Sequence, residues 1–144
     1  MVIISDAMRY EVGQELFARM QDDPKCTAKL SVQLSVLPSY TRLGMAALLP
    51  HKTLEMTDDF QVLVDGILCD NLAGRQQVLQ SYNPDSVCVQ FDDIKNLKVA
   101  ELRDVLTKRQ IIYVYHNQID ARGDKANTED EVFNACEEAV QEIV

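Results

Sequence analysis

The sequence alternates short apolar runs with stretches in which apolar residues recur at helical spacing. The predicted strands cover residues 2–4, 30–37, 60–64, 86–91 and 111–115. The predicted helices cover residues 12–20, 41–48, 75–79, 99–106 and 128–143. Strands that alternate with helices favour a parallel sheet with crossover helices. We therefore expect an α/β fold of three layers, with a mostly parallel sheet and helices on both faces.

The size and charge of the chain limit the classes of protein that it can belong to. Its 144 residues are enough for one compact domain and too few for two. The formal net charge is −9, which does not favour direct nucleic-acid binding, because neutralising phosphates needs a basic surface. The negative charge is compatible with a phosphoester substrate, because a metal site needs clustered carboxylates and bound cations reverse the local potential.

The cysteines and the apolar segments indicate a cytoplasmic location. The four cysteines are widely spaced and form no Cys-x-x-Cys pair, so we expect reduced thiols rather than a disulfide framework. The N-terminal segment lacks the basic region of a signal peptide. No apolar stretch approaches the ~20 residues that span a bilayer.

Three polar clusters follow predicted strands or begin predicted helices, at residues 5–11, 38–45 and 115–124. Ligands of open α/β sheets bind outside the carboxyl ends of the strands, so these clusters are expected to converge. Each cluster also has a structural explanation, as a helix cap or a turn. The residues alone therefore predict an α/β domain with a candidate divalent-metal site. They do not decide between that site and ordinary caps and turns.

The side chains in these clusters suit phosphoryl transfer. The Thr41 hydroxyl lies at a predicted helix N-terminus, where the helix dipole favours an incoming phosphate. A threonine hydroxyl becomes a good nucleophile only when a base or a metal activates it. The carboxylates of Asp6, Asp120 and Asp124 are suitable ligands for two divalent ions about 4 Å apart.

Three longer motifs resemble, in order, three sequence blocks of the PglZ family of the alkaline phosphatase superfamily. They are Val-Ile-Ile-Ser-Asp-Ala-Met-Arg-Tyr-Glu-Val at 2–12, Leu-Pro-Ser-Tyr-Thr-Arg-Leu-Gly-Met-Ala-Ala-Leu-Leu-Pro at 37–50, and Tyr-Val-Tyr-His-Asn-Gln-Ile-Asp-Ala-Arg-Gly-Asp at 113–124. The resemblance implies an alkaline-phosphatase-like core and a two-metal phosphatase or phosphodiesterase. It also implies a role in BREX-type bacterial defence against phage, with other defence proteins as partners.

The resemblance implies a role for each matching residue. Asp6 would bind one metal ion, Thr41 would be the nucleophile beside it, and Asp120 would bind the other ion. Asp124 stands where the superfamily commonly has histidine, so manganese or magnesium is compatible as well as zinc.

Three basic residues near these positions have less direct roles. Arg9 and Arg42 are candidates for contacting phosphate oxygens or for ordinary ion pairs. His116 is expected to support the ligands or the fold rather than to bind metal.

The superfamily completes its site with a later Asp-His pair and a further histidine. This chain has only His51 and His116 and no Asp-His dipeptide. We therefore expect residues 1–144 to be the truncated N-terminal portion of a catalytic domain, because the chain begins in a predicted strand and stops in a predicted helix. By itself it is expected to fold at least in part, to bind metal weakly and to be inactive.

Two other functions are considered. The first is a non-catalytic α/β module that helps to assemble a multi-protein defence complex, which the aspartate at position 124 favours. The second is a receiver-like phosphoacceptor domain. Receivers need a pair of acids after the first strand and a lysine after a late strand, whereas here Asp6 stands alone and His116 follows the late strand.

Overall fold

A computed structural model describes residues 1–144 of the chain. It contains six strands and seven helices. In chain order these are β1 (Val2–Ser5), α1 (Tyr10–Gln21), α2 (Thr41–Ala47), β2 (Leu54–Met56), β3 (Val62–Val64), β4 (Ile67–Leu68), α3 (Leu72–Tyr82), β5 (Ser86–Gln90), α4 (Phe91–Ile94), α5 (Val99–Leu106), β6 (Ile111–His116), α6 (Gln118–Gly123) and α7 (Glu129–Ile143). None of these helices has the length and apolar character needed to span a bilayer.

The chain divides into two compact units. The first unit comprises Met1–Ile4 and Ser35–Tyr115, and the second comprises Ser5–Leu34 and His116–Val144. Each unit is therefore assembled from two separate stretches of sequence.

A three-stranded sheet with the order β1-β6-β5 lies mostly in the first unit. Strands β5 and β6 are parallel, with Ser86 opposite Ile111 and Gln90 opposite Tyr115. The connection between them passes through α4 and α5, as a parallel pair requires. Helix α3 packs against β5. The predicted α/β class with a parallel sheet is confirmed.

A second sheet, β2-β3-β4, is small and antiparallel, and only β3 was predicted from the sequence. Asp65 and Gly66 make the two-residue turn between β3 and β4, and both have positive φ, 50° and 79°. Two-residue hairpin turns prefer Asp-Gly because both positions require the left-handed conformation. The Asp65 carboxylate accepts hydrogen bonds from the Tyr82 hydroxyl and the Thr53 N–H, which lower the pKa of Asp65 to about 2.

One predicted strand is wrong. Residues 30–37 form no strand, and the side chains of Val32 and Leu34 are 77% and 93% exposed. Alternating apolar residues make a strand only where a neighbouring strand supplies hydrogen bonds and one face is covered. This segment pairs with no strand of the chain.

Two helix boundaries also differ from the prediction. Phe91 begins α4 instead of extending β5. Thr128 and Glu131 have the spacing of a capping box, which predicts reciprocal hydrogen bonds at the start of α7, and only half of it forms. The Thr128 hydroxyl accepts from the Glu131 N–H, but the Glu131 carboxylate accepts from the N–H of Asn127 rather than of Thr128. The predicted helices α1, α2, α3, α5 and α7 are present, and the short helices α4 and α6 were not predicted.

The buried thiols allow a prediction about chemical reactivity. All four cysteines are free; Cys69 and Cys88 are buried, whereas Cys26 and Cys136 are half-buried. Burial raises the pKa of Cys69 and of Cys88 from 9.0 to about 11. At neutral pH such a thiol has about 100-fold less thiolate than an ordinary one, and the thiolate is the reactive form. We expect a thiol-specific reagent to modify Cys26 and Cys136 first, and Cys69 and Cys88 only in denaturant.

Peptide mass spectrometry after timed labelling measures these rates, with the denatured chain as the control. The same shifts predict that stability falls as pH rises from 9 to 11, because a thiol of the unfolded chain loses its proton before a buried one. Equal labelling rates at all four cysteines under native conditions would contradict the burial of Cys69 and Cys88.

Candidate functional site

The predicted site residues are divided between the two units. Those in the second unit are Asp6, Arg9, His116, Asp120 and Asp124. Thr41 and Arg42 belong to the first unit. The gathering of Thr41 with the carboxylates therefore stays a prediction.

A cavity of about 960 Å³ brings together three of the predicted residues of the second unit: Arg9, Asp120 and Asp124. Residues of α1, α6 and α7 line it, together with the caps Arg9 and Asp124 and with Ala7, which follows Asp6. Its apolar lining comprises Val12, Ile119, Val132, Phe133, Cys136 and Val140. Six carboxylates and two arginines line the cavity, so its potential favours cations.

A tight turn after β1 holds Asp6. The Asp6 N–H donates to the carbonyl oxygen of His116 over 2.9 Å, and Asp6 Oδ1 accepts from the N–H of Ala7 over 3.0 Å. Ala7 has a φ of 59°, in the left-handed region that costs a residue with a Cβ about 1 kcal/mol. Strained backbone of this kind often occurs at functional sites. The half-buried Asp6 side chain is thus held where β1 ends.

His116, the last residue of β6, is 1% exposed and is held through both nitrogens of its ring. Nδ1 lies 2.9 Å from Ser5 Oγ, and Nε2 lies 2.9 Å from Glu142 Oε2. A neutral ring with its proton on Nε2 satisfies both contacts, by donating to Glu142 and accepting from the Ser5 hydroxyl. In this arrangement neither nitrogen is available to a metal ion.

Helix α6 carries two predicted ligands. Asp120 lies in its first turn and Asp124 is its C-cap, so a short helix forms where a turn was considered. The spacing of four residues places both side chains on one face of the helix. The side chain of Asp120 is half-buried and that of Asp124 is exposed.

In the first unit, Thr41 is the exposed first residue of α2. The N-cap of α2 is Tyr40. Thr41 is therefore not the N-cap residue, which was the structural alternative to a role as nucleophile. Arg42 forms an ion pair with Asp70, with 3.5 Å between Nη1 and Oδ2. Asp70 also accepts from the Val62 N–H, which fixes this carboxylate against β3.

The donor set fits part of a metal site. The carboxylates of Asp6, Asp120 and Asp124 offer oxygen ligands, which suit magnesium and manganese and are also found at zinc sites. Neither unit groups three His, Cys, Asp or Glu side chains so that they could hold a metal ion. A closed site would therefore need ligands in addition to those grouped in this structure.

Sequence reasoning missed the role of two glutamates of α7, Glu138 and Glu142. The sequence pattern assigns both to the solvent face of the helix. In the structure Glu142 contacts His116, and Glu138 pairs with Arg122 and accepts from Gln118. No motif connects these residues, since each partner lies 16 to 26 positions away.

Comparison with known proteins gives a family and two relatives. The family model described as "BREX system PglZ alkaline phosphatase-like domain" matches residues 1–144. "Alkaline phosphatase-like protein BrxZ" of Escherichia coli O9:H4 (strain HS) is 44% identical over 144 residues, which are 99% of this chain and 16% of that protein. "Alkaline phosphatase-like protein PglZ" of Bacillus cereus (strain H3081.97) is 40% identical over 142 residues, 99% of this chain and 17% of that protein. No solved structure gives a significant match.

Proposed function

The chain belongs to the PglZ family, the alkaline phosphatase-like domain of BREX systems, and we propose on this premise that it supplies part of the catalytic core of a metal-dependent phosphohydrolase. The observation that carries the proposal is the carboxylate-lined cavity that Arg9 shares with Asp120 and Asp124, next to the turn that holds Asp6. The chain spans only 16% and 17% of its two relatives, so the activity is proposed for a longer protein.

In the proposed site Asp6 binds one divalent ion, and Asp120 with Asp124 binds the other. Zinc is the expected metal, and the oxygen ligands also accommodate manganese or magnesium. Ions held by these residues would supply Lewis-acid chemistry at the phosphoryl oxygens. Thr41 is the proposed nucleophile. Its hydroxyl oxygen loses its proton to water and attacks phosphorus, and the ester oxygen leaves and takes up a proton. Water then hydrolyses the threonine phosphate, which releases the phosphoryl product and restores the hydroxyl.

Two arginines are proposed to contact the phosphate. Arg9 is exposed and lines the cavity, so it can reach a phosphate oxygen with charge-assisted hydrogen bonds. Arg42 already pairs with Asp70, and that ion pair competes with any contact to phosphate. Arg9 is therefore the stronger of the two candidates.

The proposed setting is the bacterial cytoplasm, where the whole protein would act with other proteins of a defence system against phage. The family description and four free cysteines support this setting. The substrate is a phosphomonoester or a phosphodiester, including nucleotides.

The test is metal-dependent hydrolysis by the full-length protein. After treatment with a chelator we expect no cleavage of p-nitrophenyl phosphate or of its bis ester. Adding zinc, manganese or magnesium should restore cleavage of at least one of them, because the ions stabilise the transition-state charge. Absorbance of p-nitrophenolate measures the rate, and residues 1–144 alone are the control expected to be inactive. Full-length protein that takes up no metal and cleaves neither ester would contradict the proposal.

A second candidate function is a non-catalytic module that helps to assemble the defence complex. The aspartate at position 124, where the superfamily commonly has histidine, favours it. The two functions differ in their response to Asp6→Ala. A binding module should keep its partner proteins and its defence activity with this change, whereas a hydrolase should keep the partners and lose the defence activity.

A further inference from the structure

Helix α7 is the common support of the two segments that carry the proposed metal ligands. Glu138 and Glu142 are four residues apart on this helix, so their side chains lie on the same face. Glu142 contacts the segment that holds Asp6, through His116. Glu138 contacts α6, which carries Asp120. The same helix face thus reaches both ligand segments.

A short series of hydrogen bonds joins Glu142 to Asp6, and the residue at its centre, His116, is shielded from solvent. The His116 ring, 1% exposed, lies between the Glu142 carboxylate and the Ser5 hydroxyl, with 2.9 Å on each side. The carbonyl oxygen of His116 accepts the Asp6 N–H, also over 2.9 Å. Asp6 is therefore held through its own amide and through the side chain of the preceding residue. Hydrogen bonds of a buried group are electrostatically stronger than exposed ones.

The path from Glu138 to Asp120 uses two contacts on α6. Glu138 Oε2 accepts from Gln118 Nε2 over 3.2 Å and pairs with the guanidinium of Arg122. Gln118 and Arg122 lie two residues before and two residues after Asp120, so together they fix the rotation of α6 about its axis. The side chains of Arg122 and Glu138 are 43% and 47% exposed, so water screens this pair and the Glu142 path should have the larger effect.

We propose that Glu142 and Glu138 are positioning residues. Both belong to α7, and through their contacts they set the distance between the Asp6 and Asp120 carboxylates. The inference rests on the proposed function, in which these carboxylates bind two metal ions. Ligand distances in metal sites vary by only about 0.2 Å. Ligands on two separate segments meet that tolerance only if both segments are fixed to one rigid element. Residues that orient ligands in this way change metal affinity by about 10- to 100-fold when they are replaced.

The experiment measures manganese binding to the metal-free full-length protein by calorimetry. We expect Glu142→Ala to weaken binding by about 10- to 100-fold, and Glu138→Ala to weaken it by less. Glu142→Gln should stay within about threefold of wild type, because its amide oxygen still accepts from His116. The matched control is Asp130→Asn, which removes an exposed carboxylate from the first turn of the same helix and should leave the affinity unchanged.

A second measurement requires no metal. Hydrogen exchange of peptides that cover residues 2–12 should be faster in Glu142→Ala than in wild type and unchanged in Asp130→Asn. If Glu142→Ala fails to fold, Ser5→Ala removes one contact of the His116 ring and should produce the same two changes at smaller size.

The outcomes separate this inference from the proposed function. Wild-type protein that binds no manganese and no zinc would overturn both. If wild type binds metal and Asp6→Ala does not, but Glu142→Ala and Ser5→Ala bind and exchange like wild type, the proposed function stands and the positioning role is wrong. Equal losses in Glu142→Ala and Glu142→Gln would also contradict the positioning role, since the amide keeps the contact with His116.

Discussion

Replacing Asp6 with asparagine in the full-length protein is expected to lower kcat/KM for phosphoester cleavage by about 10³-fold, or about 4 kcal/mol of transition-state stabilisation. The amide has the shape of the carboxylate, and its oxygen can still accept from the Ala7 N–H. The turn after β1 should therefore survive the change. What disappears is the negative charge that binds a divalent ion, and a neutral amide is a far weaker ligand. Activity should fall together with metal content, and thermal stability should change little.

Replacing Thr41 should lower the activity without lowering the metal content, in contrast to Asp6→Asn. Thr41→Ala removes the proposed nucleophile but no metal ligand, so kcat should fall by a similar factor while metal content stays at the wild-type value. Thr41→Ser keeps the hydroxyl and should keep most of the activity. The exposure of Thr41 at the start of α2 makes both changes sterically harmless.

Metal analysis and initial rates, measured on the same protein preparations, distinguish the effect of Asp6→Asn from that of Thr41→Ala. Asp22→Asn is the matched control for Asp6→Asn, because Asp22 is an exposed aspartate at the end of α1 and lies outside the cavity lining. Full activity in both Asp6→Asn and Thr41→Ala would contradict the assignment of the site. Loss of metal in Thr41→Ala would instead indicate that the hydroxyl also helps to hold a metal ion.

The strand ends were predictable because the sequence signals there are local. A β-branched run followed at once by a polar residue predicted β1 and the start of the turn at Asp6, and the same signal predicted β6. Both signals use only adjacent residues. Strand β6 is mostly buried and pairs in parallel with β5, as its apolar run suggests, whereas Val2 and Ile3 of β1 are exposed. Local patterns alone could not distinguish Thr41 from a helix cap or Asp120 from a turn residue. Their expected roles as nucleophile and metal ligand came from the three motifs that resemble the PglZ family.

What the sequence could not predict depends on distant partners. The alternation in residues 30–37 is ordinary strand character, but no strand of the chain pairs with it. The short β4 needs the Asp65-Gly66 turn and its pairing with β3, and an Asp-Gly pair beside an apolar run was the available signal for it. The contacts of Glu138 and Glu142 join residues far apart in sequence, so helical periodicity shows only that they share one face of α7.

A glycine that sequence reasoning did not single out should have the largest effect on stability. Gly74 lies in the first turn of α3, and its N–H donates to the Asn71 side chain, the N-cap of the helix, over 2.9 Å. A Cβ at position 74 would overlap the carbonyl oxygen of Leu68 in β4 and lie 3.3 Å from Cys69 Cα. Both obstacles are backbone atoms, so no change of rotamer relieves them. The N-cap hydrogen bond also opposes any shift of α3 away from β4.

We therefore expect Gly74→Ala to lower the free energy of unfolding by about 3 kcal/mol, at the upper end of the cost of overpacking. Urea unfolding followed by circular dichroism measures it. Gly44→Ala is the matched control: Gly44 lies within α2, and a Cβ there meets no atom within 4 Å. In a helix interior alanine is favoured over glycine by up to about 1 kcal/mol, so this variant should be as stable as wild type or more stable. If the two variants unfold at the same urea concentration, α3 does not pack against β4 as closely as the structure requires, because only that close approach distinguishes the two glycines.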